Sequence, residues 1–449
     1  MTMPHAAPAS VEAQEVLETL SRHILVDGYH VVMDLARSRG SYLYDARSGR
    51  FILDFFANFA TCPIGYNHPR MTTPEFRERL AEVAINKPAN SDIYTQVYAE
   101  FVETFSRIAV PPSHSGHLFF VEGGSVAVEN ALKTAFDWKV RKNLARGVPG
   151  EKGSQIIHLQ NAFHGRTGYT LSLTNTADPR KTQYFPKFNW PRIVCPKVSF
   201  PMTEEGLLET ERLERQAAEQ IQRALLERRD DIAALIIEPI QGEGGDNHFR
   251  PEFFRKLRDL ADENEFLLIC DEVQTGVGAT GSMWAWQQMG VEPDIFVFGK
   301  KTQVCGIAVN SRIDDVDSVF RVSSRINSTW GGNLTDMFRA TRYFEIIAEE
   351  KLVENARAVG EHLLVKARSL AEEMPGLVSN VRGRGLILAL DLPDTATRNR
   401  ALSACLDHGL MALASGFNAI RFRPALNLSA SEADEGVEKL RDALRTLAV

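Results

Sequence analysis

Residues 266–301, FLLICDEVQTGVGATGSMWAWQQMGVEPDIFVFGKK, constrain this chain more than any other stretch. Phe266-Leu267-Leu268-Ile269-Cys270 is an apolar run short enough for a buried strand, and it stops on Asp271. A loop and a short amphipathic segment lead to a second run, Ile295-Phe296-Val297-Phe298, which stops on Gly299-Lys300. Two such strands side by side would deliver a carboxylate and an amine at the same edge of a sheet. Similar short apolar runs at 117–121, 155–159 and 232–237 are separated by helical patterns and end in polar loops. That alternation predicts an α/β fold with a mostly parallel sheet covered by helices on both faces.

A carboxylate and an amine so placed are what a carbanion-forming cofactor enzyme needs. Pyridoxal phosphate is held on a lysine, and a buried carboxylate keeps its ring nitrogen protonated so that the ring accepts electrons. The plainer alternative is that Asp271 starts a turn and Lys300 is a solvated surface lysine. It is weaker for Lys300, because a lysine directly after an apolar run is rarely buried without a partner.

Other strand ends carry further candidates. Glu122-Gly123-Gly124-Ser125 precedes VAVENALKTAFDWKVR, read as a helix with Val126, Asn130 and Ala131 on one side. Strand, glycine turn and helix make an anion site from free N–H groups, although an ordinary N-cap has the same composition. The run 155–159 is followed by Phe163, His164 and Arg166. An aromatic there suits a cofactor ring and an arginine suits a substrate carboxylate; a salt-bridged surface loop is the alternative. The run 232–237 leads into Glu238-Pro239 and a loop containing Glu243.

The flanks read differently. VEAQEVLETLSRHIL has helical spacing with Ser10 as a cap, GSYLYDARSGRFILDFFANFA reads as a hairpin, and helices fill roughly 74–110. After Lys300 come two helices, then strands in VSNVRGRGLILALDL and FNAIRFRPALNLS, then a terminal helix whose cap is read at Ser431-Glu432. The expected organisation is an N-terminal segment over 1–70 packing with a small domain, a large domain over 71–344, and a small α+β domain over 345–449.

Net charge of −7 argues against a nucleic-acid partner. No stretch is long and apolar enough to span a membrane. Five cysteines without CxxC spacing argue against a zinc site or a disulfide framework. With no basic, apolar leader, the cytoplasm is the default.

The motifs occur together in one order: the glycine turn at 123–125, FHGR at 163–166, EPIQGEGGDNH at 238–248, DEVQTG at 271–276, GKK at 299–301, STWGGN at 328–333, VRGRG at 381–385 and IRFRP at 420–424. In these the chain resembles the class III (ω-amino acid) aminotransferases of pyridoxal-phosphate fold type I, from about Gly40 to the end. FGKKTQVCG, NSTWGGNLTDM and HGRTGYTLSLTNT are most similar to the branch acting on the ε-amine of L-lysine. The 4-aminobutyrate branch is the second resemblance.

The resemblance implies roles. Lys300 carries the cofactor and moves the proton, Lys301 being only its neighbour. Asp271 pairs with the ring nitrogen. Val273 and Phe163 cover the two ring faces, and Gln274 lies at the phenolic oxygen. Gly124 and Ser125 hold the phosphate, and Thr329 reaches the phosphate of the other subunit of a homodimer with shared sites. It also implies ping-pong transfer from L-lysine to 2-oxoglutarate, yielding 2-aminoadipate 6-semialdehyde and glutamate. One pocket must then accept an amine without a neighbouring carboxylate and a keto acid with one. The expectation is that Glu243 pairs with Arg421 while lysine is bound and releases it for 2-oxoglutarate, with Arg423 as the alternative partner and Arg166 holding the distal carboxylate of both substrates. Other readings are a different ω-amine donor or a binding protein that has lost catalysis. A nucleotide-binding fold fails for want of GxGxxG after the first strand.

Overall fold

The computed structural model describes residues 11–447. At its centre is a seven-stranded sheet: β1 (His117–Val121), β2 (Gln155–Leu159), β3 (Arg192–Ile193), β4 (Ile232–Ile237), β5 (Leu267–Asp271), β6 (Ile295–Phe298) and β7 (Cys305–Val309). Their spatial order is β1-β7-β6-β5-β4-β2-β3, with β7 alone antiparallel to its neighbours. The central strands β4, β5 and β6 are apolar up to Asp271 because both faces are covered, whereas the outer ones carry His117, Gln155, His158 and Arg192. Along β4 to β6, Leu235, Leu268, Phe296 and Phe298 join one core, while Ile236, Leu267, Ile269 and Val297 join a second core on the other face. Truncating one such side chain, Leu268→Ala for example, costs about 2–5 kcal/mol.

Period two places Asp271 on the face of Leu267 and Ile269. The helix Gly124–Ala145 packs on that face through Ala127, Val128, Ala131, Leu132, Ala135 and Trp138. Its N-terminus therefore opens beside Asp271. Of Val126, Asn130 and Ala131, read on one side of the helix, Asn130 and Ala131 are buried and Val126 is exposed.

A second, four-stranded antiparallel sheet consists of β8 (Ser379–Arg384), β9 (Ile387–Asp391), β10 (Leu413–Ser415) and β11 (Ala419–Phe422), in the order β8-β9-β11-β10. The helices Leu352–Glu373 and Ala430–Arg445 pack together beside it. The N-terminal hairpin Tyr42–Asp45 and Arg50–Asp54 forms as expected and pairs in parallel with Leu410–Met411. The cap of the terminal helix is Ser429, which forms a capping box with Glu432; Ser431 lies inside the helix. The helix expected after Ser10 is confined to Val16–Ser21, and Ser10 itself lies outside the described residues. The stretch 74–110 holds two helices, Pro74–Ile85 and Gln96–Ile108. Among the described residues no helix is long and apolar enough to cross a membrane.

Candidate active site

The C-terminal ends of β1, β2, β4, β5 and β6 open into one cavity of about 550 Å³. It is lined by Gly124 and Ser125 after β1, by Phe163, His164 and Arg166 after β2, and by Glu238 after β4. Asp271, Val273, Gln274 and Lys300 complete the wall from β5 and β6. β5 and β6 run in parallel with Asp271 opposite Val297, so the carboxylate and the lysine turn emerge at the same edge. The ends of parallel strands are where open α/β sheets bind ligands.

The two adjacent lysines are separated by the backbone. Lys300 sits at φ +52° and lines the cavity. Lys301 turns inward, is buried, and donates from Nζ to the carbonyl of Gln274 at 2.7 Å. Burial lowers the Lys300 amine to about 8; the positive charge of Arg421 adds to this, and Asp271 opposes it. Gln303 braces the turn, donating from Nε2 to the carbonyls of Thr61 at 2.8 Å and Lys300 at 3.1 Å.

Asp271 is buried, yet its oxygens are occupied. Oδ2 lies 2.8 Å from Nδ1 of His164, and Oδ1 accepts from the N–H of Val273 at 3.1 Å. Glu238, also buried, accepts the N–H groups of Phe163 at 2.9 Å and Gly242 at 3.0 Å. Burial raises its carboxyl to about 7, Asp271 pushes the same way, and His164 opposes both. His164, Glu238, Gln303 and Cys305 line the cavity but were given no role by the sequence. His164 and Glu238 fall within the FHGR and EPIQ segments, and Gln303 and Cys305 within FGKKTQVCG, so each lay in a segment that offered a signal.

The anion end is set by glycine. Gly123 has φ +95°, a region that L side chains avoid, and starts the helix Gly124–Ala145 without a side-chain cap. The first N–H groups are thus left for a ligand. A Cβ on Gly124 would stand 3.0 Å from Cγ1 of Val273 and fill part of the cradle. The Ser125 hydroxyl is engaged elsewhere, 2.7 Å from Oγ1 of Thr167 and 2.8 Å from Oγ1 of Thr170.

Arg421, 2% exposed on β11 of the second sheet, lies behind Gln274 of the cavity wall; neither it nor Glu243 lines the cavity itself. Its Nη2 donates to Oε2 of Glu243 at 2.8 Å and its Nη1 to Oε1 of Gln274 at 3.4 Å. Burial alone would raise the Glu243 carboxyl, but Arg421 and Lys181 outweigh it and hold it below its usual range. The alternative partner, Arg423, is paired with Asp246 instead. Arg166 is exposed at the cavity wall. Thr329 is also exposed and does not line this cavity.

Comparison with known proteins places this geometry. The family described as aminotransferase class-III matches residues 25–444. The chain belongs to the class-III aminotransferases. It is 51% identical over 431 residues to the L-lysine-epsilon aminotransferase of Mycobacterium tuberculosis (strain ATCC 25618 / H37Rv), covering 96% of this chain and 95% of that one. It is 48% identical over 448 residues to the L-lysine-epsilon aminotransferase of Amycolatopsis lactamdurans, covering 99% of each. The structure of lysine aminotransferase from M. tuberculosis in the internal aldimine form superposes with a TM-score of 0.95 at 50% identity, covering 97% of this chain and 100% of that chain. Class-III aminotransferases depend on pyridoxal 5′-phosphate. The residues of this cavity fit that group: uncapped N–H groups for a phosphate, a buried carboxylate for a ring nitrogen and a lysine with a depressed pKa.

Proposed function

We propose that this aminotransferase moves the ε-amino group of L-lysine to 2-oxoglutarate, giving 2-aminoadipate 6-semialdehyde and L-glutamate. The single observation that carries this reading is the contact between Arg421 and Glu243 at 2.8 Å beside the Lys300 turn. A carboxylate clamp closed by the protein's own glutamate suits a donor whose reacting carbon bears no carboxylate. The relatives named for lysine support the same choice of donor.

When bound, pyridoxal 5′-phosphate supplies an electron sink that acidifies the C–H bond beside the transferred nitrogen. Gly124 and Ser125 would hold its phosphate through their N–H groups, and Phe163 and Val273 would cover the ring faces. Asp271, oriented by His164 and by the N–H of Val273, would pair with the ring nitrogen. Gln274 would reach the phenolic oxygen and the substrate. With the cofactor in place, Lys300 Nζ would be the base that takes the proton from Cε of lysine and the acid that gives it back. Arg166 holds the distal carboxylate of each substrate.

In the second half, 2-oxoglutarate brings a carboxylate next to the reacting carbon, and Glu243 leaves Arg421 to it. A buried arginine left unpaired would be costly in the first half, and a blocked one useless in the second. The active unit is a homodimer in which Thr329, exposed and outside its own cavity, completes the phosphate site of the partner. The large unit spans 71–344, and the small unit spans 345–449 together with the segment 1–70. Five free cysteines suit a cytoplasmic protein.

The test is the visible spectrum of the holoenzyme on adding L-lysine, 4-aminobutyrate or L-ornithine without a keto acid. Rapid bleaching by lysine alone is expected. Bleaching by 4-aminobutyrate and not by lysine would overturn the choice of donor and leave the Lys300 chemistry intact.

A further inference from the structure

If Glu243 leaves Arg421, its carboxylate must go somewhere. Its side chain is 24% exposed, and a partly buried carboxylate does not swing into an apolar wall, because an unpaired charge there is costly. Nor does its backbone move freely. The Glu243 carbonyl accepts the N–H of Gly416 at 3.0 Å, and the preceding carbonyl, of Gly242, accepts the Ser415 hydroxyl at 2.7 Å. Arg382 donates to the carbonyls of Gly245 at 2.5 Å and Asp246 at 3.0 Å on the other side. The motion is therefore a rotation of the side chain about a fixed backbone.

Besides Arg421, one cation contacts that side chain, and a second lies on a helix packed against β10 and β11. Lys181, in the loop after Asp178, forms an ion pair through Nζ with Oε1 of Glu243, the oxygen that Arg421 does not hold. Arg398, on the helix Thr395–Asp407, is 8% exposed. Its Nε is satisfied by Oδ1 of Asn399 at 2.8 Å, but its buried Nη1 has no hydrogen-bond partner among the described residues. Burial pushes the Arg398 guanidinium down from its usual range, and the charge that opposes this is Glu243. A buried guanidinium with a free donor, on a helix packed against the strand of Arg421, is a receiving site already built for a carboxylate that has to move.

We propose that Lys181 and Arg398 form the second seat of Glu243, Lys181 tethering the carboxylate throughout and Arg398 receiving it when Arg421 is given up to the keto acid. This rests on the lysine and 2-oxoglutarate reading above. Both are positioning residues, acting on substrate only through Glu243. Arg421 then changes partner without any carboxylate being stranded, and the two halves of the reaction differ in which cation Glu243 occupies.

The test uses full-length holoenzyme carrying Lys181→Met or Arg398→Met, with Lys181→Arg as the conservative control. Each half-reaction is followed separately in single turnover, and the binding of glutarate, an unreactive dicarboxylate, is measured by calorimetry. Loss of the second seat should weaken glutarate and slow the 2-oxoglutarate half-reaction by about tenfold or more, with the lysine half-reaction within about twofold. Lys181→Arg should restore both readouts. In a Glu243→Gln background, Lys181→Met should add nothing, because no charge remains to seat.

Equal losses in both halves, an unchanged glutarate affinity, or the same loss in the Glu243→Gln background would overturn the proposal. If the buried Arg398→Met variant does not fold, the half-exposed Lys181 decides alone. A wild-type enzyme that ignores lysine but accepts another ω-amine would sink the donor assignment only; the glutarate comparison would still decide the second seat.

Discussion

Lys300 and Lys301 share a turn and a chemistry but not an environment. Lys300 faces the cavity with its amine lowered to about 8, whereas Lys301 is spent on the carbonyl of Gln274. The neutral amine is the form that captures an aldehyde, and it predominates only above the pKa. Capture of pyridoxal 5′-phosphate by the apoenzyme should therefore rise with pH through about 8, well below the value of an ordinary lysine. Stopped-flow absorbance across a pH series reads this directly; a midpoint above 10 would place Lys300 in water. Lys300→Ala should cut the proton-transfer step by about 10²–10⁴. Lys301→Ala should retain the step and lose about 1–3 kcal/mol of stability, measured in urea, because a buried carbonyl is left unpaired.

Glu243→Ala frees a buried arginine at the wrong moment. It should weaken the lysine half-reaction by about tenfold or more while changing the glutamate half-reaction much less, as seen by single-turnover spectra. Equal effects on both would end the idea of a switched clamp. The residues with this chemistry were legible where a charge interrupted an apolar run, as Asp271 and Lys300 do. Their partners were not. His164 meets Asp271 across 107 positions and Lys181 meets Glu243 across 62, and no local pattern encodes such pairs.

At the scale of elements, legibility followed burial on two faces. β4 and β5 are continuous apolar runs between helices, so their ends were plain from the sequence. β3 has only two residues at the sheet edge. β7, CGIAV, follows the lysine turn within a few residues and is antiparallel, so no helix separated it from β6. Both were invisible for those reasons. The terminal helix was legible but its start was displaced by two positions, because Ser429 and Ser431 both precede acidic residues. The geometry distinguishes them: Ser429 Oγ accepts the N–H of Glu432 at 3.2 Å, and Oε2 of Glu432 accepts the N–H of Ser429 at 2.8 Å. Ser429→Ala should cost about 1 kcal/mol in urea unfolding, and Ser431→Ala markedly less, with neither changing turnover.

At the scale of the molecule, the site belongs to two sheets. The first supplies Asp271 and Lys300 from parallel strands, and the second supplies Arg421 from β11. The loop carrying Glu243 is stitched to the second sheet by Arg382, Ser415 and Gly416, so it responds to both. One member of the proposed site, Thr329, does not line this cavity, and the homodimer with shared sites proposed above would supply it from the partner. That arrangement makes a definite demand on mixed subunits. Lys300→Ala leaves a chain with no base but an intact Thr329, while Thr329→Ala leaves a base but donates a poor phosphate contact. In a mixed dimer both lesions fall in one site and the other site is whole. Denaturing, mixing in equal amounts and refolding the two variants should restore about one quarter of wild-type activity, since half the dimers are mixed and half their sites are intact. If each site were built from one chain, mixing would add nothing beyond the average of the two parents.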